Sequence, residues 1–255
     1  MPYRADSDLE FLGRVDSRDL DDLVHCLTHD KDGSKRLTED LTYKDSYKQH
    51  FPNHHMYWRD VACEIQCFGG NTFVTLFRGG EGVLYREVLT DVCDKVGAEY
   101  KKESTVEEVE ICLLLKIFID SVGKMTREEL ADLARTIGVK NIGPNLGKDA
   151  MLAACLVAFR MGGFASYQLA MIVVNAVARI LIGRGLAFGA NAALTRILAV
   201  VAGPIGWAIT GIWTAVDIAS PAYRVTIPAV LLVAAIRQKH LHGRDANGSV
   251  IGPIA

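Results

Sequence analysis

Apolar residues recur at helical spacing through the first 140 residues of the chain. Between residues 6 and 29, acidic side chains alternate with leucines and valines that lie three or four positions apart. The stretches 54–68 and 104–122 repeat this spacing, which places the apolar side chains on one face of a helix. Thr126 followed by Glu129 is the signature of a capping box that opens a further helix. This part of the chain therefore predicts a set of amphipathic helices.

The last hundred residues are apolar around most of the circumference of each predicted helix. These helices cover 146–160, 164–182, 186–201, 205–216 and 225–239. A helix of this kind lies either in the middle of a core or in lipid. Residues 197–216 carry no charge, and as one helix they would be about 30 Å long. Because Pro204 removes a backbone donor, this tract is expected to break into two short helices or a hairpin.

These patterns predict an all-α protein with two helical domains. The Gly-, Pro- and Asn-rich stretch 139–149 marks the boundary between them. We predict an amphipathic N-terminal helical domain over residues 1–140 and an apolar C-terminal helical bundle or hairpin over residues 145–242. Residues 243–255 would then form a loose tail.

Charge is distributed unevenly along the chain. Residues 1–149 contain 20 Lys/Arg and 28 Asp/Glu, whereas residues 150–255 contain 8 and 2, so the net charges are −8 and +6. The acidic first part argues against neutralisation of a phosphate backbone, and we predict no nucleic-acid partner. The basic, apolar second part suits anionic lipid. The alternative is that two parts of opposite charge attract each other in a packed protein.

The candidate lipid-binding residues are aromatic, aliphatic and basic side chains of the apolar part. Tryptophan favours membrane interfaces as well as cores, and basic side chains bind anionic headgroups. The predicted lipid contacts are Arg196, Trp207, Ile209, Trp213, Arg237 and Lys239. Conditional membrane contact, a buried core and a permanent span all stay open at this point. The break at Pro204 leaves each piece of the tract too short to span a bilayer alone.

The sequence carries no motif for catalysis or for binding of a metal or nucleotide. Its six cysteines form no CxxC and no Cys/His cluster at zinc spacing, which predicts reduced thiols in the cytosol. The glycine pairs fit neither of the phosphate-loop motifs. We therefore predict a non-enzymatic protein without a cofactor or metal. An enzyme would need a cleft that brings His54, His55 and Glu64 together. The N-terminus also lacks the apolar region of a signal peptide, which predicts a cytoplasmic protein with conditional membrane association.

Several short motifs, in order along the chain, resemble the bacterial YaaW family. In the N-terminal part they are DLEFL at 8–12, LTH at 27–29, FGG at 68–70 and LYR at 84–86. The most specific motif is AYRVTIPAV at 222–230, to which Tyr223, Arg224, Thr226 and Pro228 belong. The resemblance extends to about residue 240. Between roughly residues 100 and 200 it lies in the general character of the sequence and not in specific motifs. We expect the four motif residues to set the geometry at the start of the last helix.

The resemblance implies a fold and a biological role. Part of the YaaW family is grouped with a ubiquinol–cytochrome c chaperone domain, which implies a helical fold more than a shared activity. The family also implies antiphage defence, in a two-component system against jumbo phages, where a YaaW-type protein detects the lipid-bounded vesicle of early infection. The family supplies no catalytic residues.

Two functions follow as expectations. The first is a non-enzymatic defence protein that binds anionic or phage-derived membrane and recruits a partner defence protein as its effector. The alternative is a helical assembly chaperone or adaptor that binds an apolar protein segment. Self-association of the chain stays open in both.

Overall fold

A computed structural model describes residues 3–69, 82–122, 125–136, 139, 146–161, 163–183, 185–186 and 222–242. Within these ranges the regular elements are nine α-helices and three short 3-10 helices. Within the same ranges, the only β-type pairing is an isolated bridge between His29 and Lys35. The prediction of an all-α fold is therefore confirmed.

The helices follow one another in the order of the predicted pattern. The α-helices are α1 (Ser17–Thr28), α2 (Asp45–His50), α3 (Trp58–Gly69), α4 (Tyr85–Val96), α5 (Val106–Val122), α6 (Arg127–Thr136), α7 (Lys148–Arg160), α8 (Gly163–Leu181) and α9 (Tyr223–His242). The 3-10 helices are Glu10–Arg14, Leu41–Tyr43 and His54–Tyr57. Among the described residues, no helix combines the length and apolarity needed to cross a bilayer.

Polar side chains from elsewhere in the chain close the ends of two helices. The backbone N–H of Tyr85 donates to Asp6 at 2.7 Å, so a carboxylate 79 residues upstream satisfies the first turn of α4. Arg36 donates to the backbone carbonyls of Cys26 and His29 at 3.2 and 2.7 Å, which closes the C-terminal end of α1. The N-terminal segment is thus joined to the helices by hydrogen bonds as well as by apolar contacts.

Two further helices begin with reciprocal capping boxes. The N–H of Glu129 donates to the Thr126 hydroxyl at 3.2 Å, and the N–H of Thr126 donates to the Glu129 carboxylate at 2.7 Å. This is the predicted capping box of α6. Thr105 and Glu108 form the same arrangement at the start of α5, at 2.8 and 3.2 Å.

The last helix, α9, lies at the centre of the fold. It packs most extensively against α8 and also contacts α1, α3, α4 and α5. Its residues 225–236 are all buried. This explains why α9 is apolar on all sides, because amphipathic helices cover it from several directions.

The buried apolar side chains of the described residues form one continuous cluster. It includes Leu23 of α1, Leu113 of α5, Val173 of α8 and Leu231 of α9. The cluster thus draws on both predicted domains, 1–140 and 145–242, and the division between them stays a prediction. The division followed local composition, whereas α9 supplies the middle of a core whose outer helices come from the first part of the chain. The predicted tail, 243–255, lies outside the described residues.

Candidate functional site

A buried ion pair joins the end of α9 to α5, α4 and the N-terminal segment. Arg237 Nε lies 2.8 Å from Glu110 Oε2, and Glu110 is completely buried. Tyr85 donates its hydroxyl to Glu110 Oε1 at 2.7 Å. Arg237 also donates to the backbone carbonyl of Asp8 at 2.6 Å, and its guanidinium lies 4.2 Å from the centre of the Phe11 ring. Both oxygens of the buried carboxylate are thus hydrogen-bonded, as a charge in an apolar interior requires.

The electrostatics of this cluster favour a structural role. Burial raises the pKa of Glu110, and the charge of Arg237 lowers it in part. Burial, followed by the Glu110 charge, raises the pKa of Tyr85 well above its ordinary value. Burial lowers the pKa of Arg237, but the charges of Glu110, Tyr85 and Asp8 and the hydrogen bond to Glu110 together raise it, and the net shift is upward. Tyr85 therefore stays a neutral donor and Arg237 stays a cation, so the cluster holds α9 in place.

A second ion pair fixes α9 to α1. Lys239 Nζ contacts the carboxylate of Asp19. Burial raises the pKa of Asp19, and the hydrogen bond from Lys239 lowers it in part. Two candidate lipid-binding residues, Arg237 and Lys239, are therefore engaged by carboxylates of the N-terminal part. Few acidic residues lie near them in sequence, but their partners lie 127 and 220 positions away.

The other candidate lipid contacts, Arg196, Trp207, Ile209 and Trp213, lie outside the described residues. Of the six, the structure describes Arg237 and Lys239 and places both in ion pairs. The lipid assignment of all six stays a prediction.

The four residues of the family motif lie in the first two turns of α9. Tyr223 is the first residue of the helix, and its ring centre lies 5.5 Å from Lys95 Nζ of α4. Thr226 is buried and donates its hydroxyl to the backbone carbonyl four residues earlier, at 3.3 Å. Pro228 is buried inside the helix, where it cannot donate to the carbonyl of Arg224, whose side chain is exposed. These contacts involve the backbone and packing at the start of the helix.

Tyr57, His54 and Asp21 form a chain of polar side chains beside α1. His54 Nε2 lies 2.7 Å from Asp21 Oδ1, and His54 Nδ1 contacts the Tyr57 hydroxyl. Burial lowers the pKa of His54, although Asp21 raises it in part, and burial raises the pKa of Tyr57. In the neutral imidazole, Nε2–H donates to Asp21 and Nδ1 accepts from Tyr57, so both contacts are satisfied without a charge on His54.

A shallow pocket of about 290 Å³ opens beside His54. The rings of His25 and His29 stack in it with their centres 4.7 Å apart, and Thr28 Oγ1 lies 2.8 Å from His29 Nδ1. Its volume lies at the lower limit of small-molecule sites. Across the described ranges, no group of three or more His, Cys, Asp or Glu side chains is arranged to hold a metal ion.

The cleft that an enzyme would need is not assembled. His54 is buried with Asp21 and Tyr57, whereas His55 lies on the surface, with its Nδ1 2.7 Å from the Ser17 hydroxyl. Glu64 is buried elsewhere and accepts from the backbone N–H of Asp40 at 3.1 Å. The three candidate residues therefore make separate contacts and share no cleft.

The most buried charge was not among the sequence candidates. Glu110 lies on the face of α5 that also carries Val106, Val109 and Leu113, and all four are buried. A carboxylate on an apolar face is the signal that could have identified it, because a buried charge requires a partner. The identity of that partner, Arg237, was not readable, since the two lie 127 residues apart.

Comparisons with known proteins identify the family of this chain. A family model described as ubiquinol-cytochrome C chaperone matches residues 53–231, and one described as a domain of unknown function (DUF3944) matches residues 3–37. The chain therefore belongs to the ubiquinol-cytochrome C chaperone family as that model defines it. No solved structure matches the chain.

Two curated relatives define its position more closely. The chain is 48% identical over 250 residues to a UPF0174 protein of Helicobacter pylori, with 98% of each chain covered. It is 32% identical over 244 residues to the UPF0174 protein YaaW of Escherichia coli, with 92% of this chain and 95% of the relative covered. It is thus a member of the UPF0174 family that includes YaaW, and the predicted YaaW membership is confirmed.

Proposed function

We propose that this protein is a non-enzymatic assembly chaperone or adaptor that holds an apolar segment of a partner protein. The observation that supports the proposal best is the match of residues 53–231 to the ubiquinol-cytochrome C chaperone model. An amphipathic helix can bind with its apolar face in a hydrophobic groove, where burial contributes about 25 cal/mol per Å² of apolar surface. An all-α scaffold is suited to this mode of binding.

The position of the uncharged tract 197–216 in the chain supports the same proposal. It belongs to the sequence that connects α8 to α9, two helices that pack against each other in the core. The Arg237–Glu110 and Lys239–Asp19 pairs also hold α9 in place. An apolar connection between two helices of the core is a suitable element for contacting an apolar client.

The contacts of the candidate catalytic residues support a role without catalysis. His54 and Glu64 hydrogen-bond to other parts of the scaffold, and His55 lies apart from both. An enzyme needs reactive groups that converge on a substrate-sized pocket. In this protein, His54 and Glu64 instead stabilise the fold through hydrogen bonds to Asp21 and Asp40.

The second candidate is a defence protein that senses the lipid-bounded vesicle of an infecting phage and recruits an effector. The uncharged tract 197–216, with Arg196 before it and Trp207 and Trp213 within it, favours this function. Since Arg237 and Lys239 are paired inside the protein, lipid contact would depend on Arg196 and the apolar side chains of the tract.

Liposome co-flotation of the purified protein distinguishes the two functions. Neutral and anionic vesicles are compared at two salt concentrations, with wild type beside a Trp207→Asp/Ile209→Asp/Trp213→Asp variant. The chaperone proposal predicts no flotation, together with photocrosslinking of a protein client from a probe at Trp213. Loss of that crosslink in a matched Leu37→Asp variant, outside the tract, would contradict it.

Flotation would instead support the lipid-sensing candidate. Salt-sensitive flotation with anionic vesicles would indicate a contact through Arg196, and salt-resistant flotation with both vesicle types would indicate apolar insertion. The defence role has its own measurement, the plating efficiency of a jumbo phage on bacteria that express wild type or the triple variant with its neighbouring genes. Equal plating on both strains and on an empty-vector strain would exclude it.

A further inference from the structure

Two cysteines lie one helical turn apart on α3, close to a lysine from another part of the chain. The sulfur atoms of Cys63 and Cys67 are 4.0 Å apart, within hydrogen-bonding distance for sulfur. Cys63 is 4% exposed, and Cys67 is half-buried. Lys44, which precedes α2, lies beside them with its Nζ 3.3 Å from Asp60 Oδ1 on the same face of α3.

This pair differs chemically from the other cysteines of the described chain. The hydrogen bond from Cys67 lowers the pKa of Cys63 to about 7 against the effect of burial, and the charge of Lys44 lowers it further. The same hydrogen bond, with burial, raises the pKa of Cys67. For the remaining thiols burial is the leading cause and raises the pKa in every case, at Cys26, Cys93, Cys112 and Cys155. A thiolate, unlike a thiol, is a nucleophile.

We propose that Cys63 and Cys67 form an oxidation site at which a small hydroperoxide converts the two thiols into a disulfide. Cys63 is the attacking sulfur and Cys67 the resolving sulfur. The low exposure of Cys63 selects a small, uncharged oxidant over a bulky disulfide such as oxidised glutathione. The proposal is independent of whether the partner of this protein is a protein client or a membrane.

The chemistry balances with one equivalent of hydrogen peroxide. The Cys63 thiolate attacks one peroxide oxygen, the O–O bond breaks, and the departing hydroxide takes a proton to leave as water, so Cys63 becomes a sulfenic acid. Cys67 then attacks the Cys63 sulfur, the S–O bond breaks, and a second water leaves. Two thiols and one peroxide thus give one disulfide and two waters.

The disulfide would distort the last turn of α3. Side chains four apart on a helix have Cβ atoms about 5–6 Å apart, whereas a disulfide needs about 3.5–4.5 Å. Gln66 lies in this turn and bonds the backbone of Arg4 at 3.1 and 2.9 Å, while its carbonyl accepts from Val83 N at 3.3 Å. Oxidation is therefore expected to loosen the N-terminal segment and the start of α4.

Mass spectrometry of the full-length protein tests the proposal directly. Trypsin cleaves after Arg59 and Arg78, so one peptide, 60–78, contains Cys63 and Cys67 and no other cysteine. After one equivalent of hydrogen peroxide and alkylation of the remaining thiols, this peptide is expected to lose two hydrogens and to resist alkylation until a reductant is added. The pH midpoint of Cys63 alkylation by a small reagent should lie below that of Cys112, whatever the absolute rates at the two sites.

Matched variants separate the two roles of Cys67. Cys67→Ser keeps a hydroxyl donor but cannot resolve, so a sulfenic acid at Cys63 should accumulate and appear as one added oxygen in the mass of peptide 60–78. Cys67→Ala removes the donor as well, and the pH midpoint of Cys63 alkylation should move upward. Cys112→Ser serves as the control and should leave both results unchanged.

Two outcomes would overturn the proposal. One is that peptide 60–78 keeps both thiols at a peroxide dose that oxidises Cys112. The other is a wild-type protein in which the pH midpoint of Cys63 alkylation is no lower than that of Cys112. Both are measured on the unmutated protein, so a variant that fails to fold does not obscure the answer. Hydrogen exchange near residues 82–88 provides the structural readout and should become faster on oxidation.

Discussion

From the sequence, Arg237 was a candidate lipid contact, whereas the structure places its side chain in a buried ion pair. The residues that directly precede it in α9 are apolar, yet its guanidinium reaches Glu110 and the carbonyl of Asp8. Arg237→Met should lower the free energy of unfolding by about 3–5 kcal/mol, because it leaves the Glu110 carboxylate buried without its partner. Urea denaturation measures the loss. The matched control is Arg224→Met, at an exposed site on the same helix, which should cost about 0.5 kcal/mol or less.

The partner substitution checks the cause of that loss. Adding Glu110→Gln to Arg237→Met removes the uncompensated charge while keeping an acceptor for the Tyr85 hydroxyl. The double variant should therefore recover at least about 1 kcal/mol relative to Arg237→Met alone. If the two losses simply add, the ion pair does not carry the effect.

Glu64 gives a prediction about pH. Burial raises its pKa to about 7 from the usual 4.5, so the folded state holds a proton that the unfolded state has already released. Stability from this group is fully present below about pH 4.5 and is lost as the pH rises through 7. Glu64→Gln removes the titration, so its stability relative to wild type should increase by roughly 3 kcal/mol between pH 4.5 and 8. Urea denaturation of both proteins at each pH measures this, and a pH-independent difference would contradict it.

At the scale of single residues, the sequence indicated contacts between residues a few positions apart but not pairs between distant residues. The capping pair Thr126 and Glu129 could be predicted because its members are three positions apart. The partners of Arg237 and Lys239 could not, since they lie on helices more than one hundred residues away. The ion pairs of these two residues therefore became visible only in the structure, and their lipid assignment stays a prediction.

At the scale of elements, α9 is buried without interruption from Val225 to Ile236. Leu231, near its middle, is completely buried, and Leu37, in a loop, is fully exposed. Leu231→Ala should lower the free energy of unfolding by about 2–5 kcal/mol through lost burial and the cavity that remains. Leu37→Ala is the control and should stay within about 0.5 kcal/mol of wild type. Equal effects of the two substitutions would mean that α9 is not packed at the centre of the core.

The same helix shows why elements were easier to predict than their arrangement. Spacing identifies a helix, and an apolar circumference indicates that it is surrounded, but neither indicates by what. Lipid and a protein interior are both apolar surroundings, so 225–239 was compatible with either. The structure resolves this for α9, whose covering helices are α1, α3, α4, α5 and α8.

At the scale of the whole molecule, opposite charges from the two parts of the chain pair with each other in the folded protein. In the described structure, two ion pairs of α9 join a basic side chain of the C-terminal part to an acidic one of the N-terminal part, Arg237 to Glu110 and Lys239 to Asp19. His242 Nε2 also lies 3.8 Å from Glu107 Oε1. Attraction between the parts was one of the two readings of the charge pattern, and these contacts favour it for α9.

A core shared by both parts of the chain predicts that the whole protein unfolds cooperatively. If α9 fills the middle of a core built by helices of both parts, residues 1–143 alone expose the apolar surfaces that α9 covers. That fragment should lack a cooperative thermal transition by circular dichroism, whereas the full chain should unfold in one transition. Mixing it with the fragment 144–255 should restore the transition, because the ion pairs and apolar contacts of α9 form between the two. A fragment 1–143 that melts as sharply as the full chain would instead establish an independent N-terminal domain with its own core.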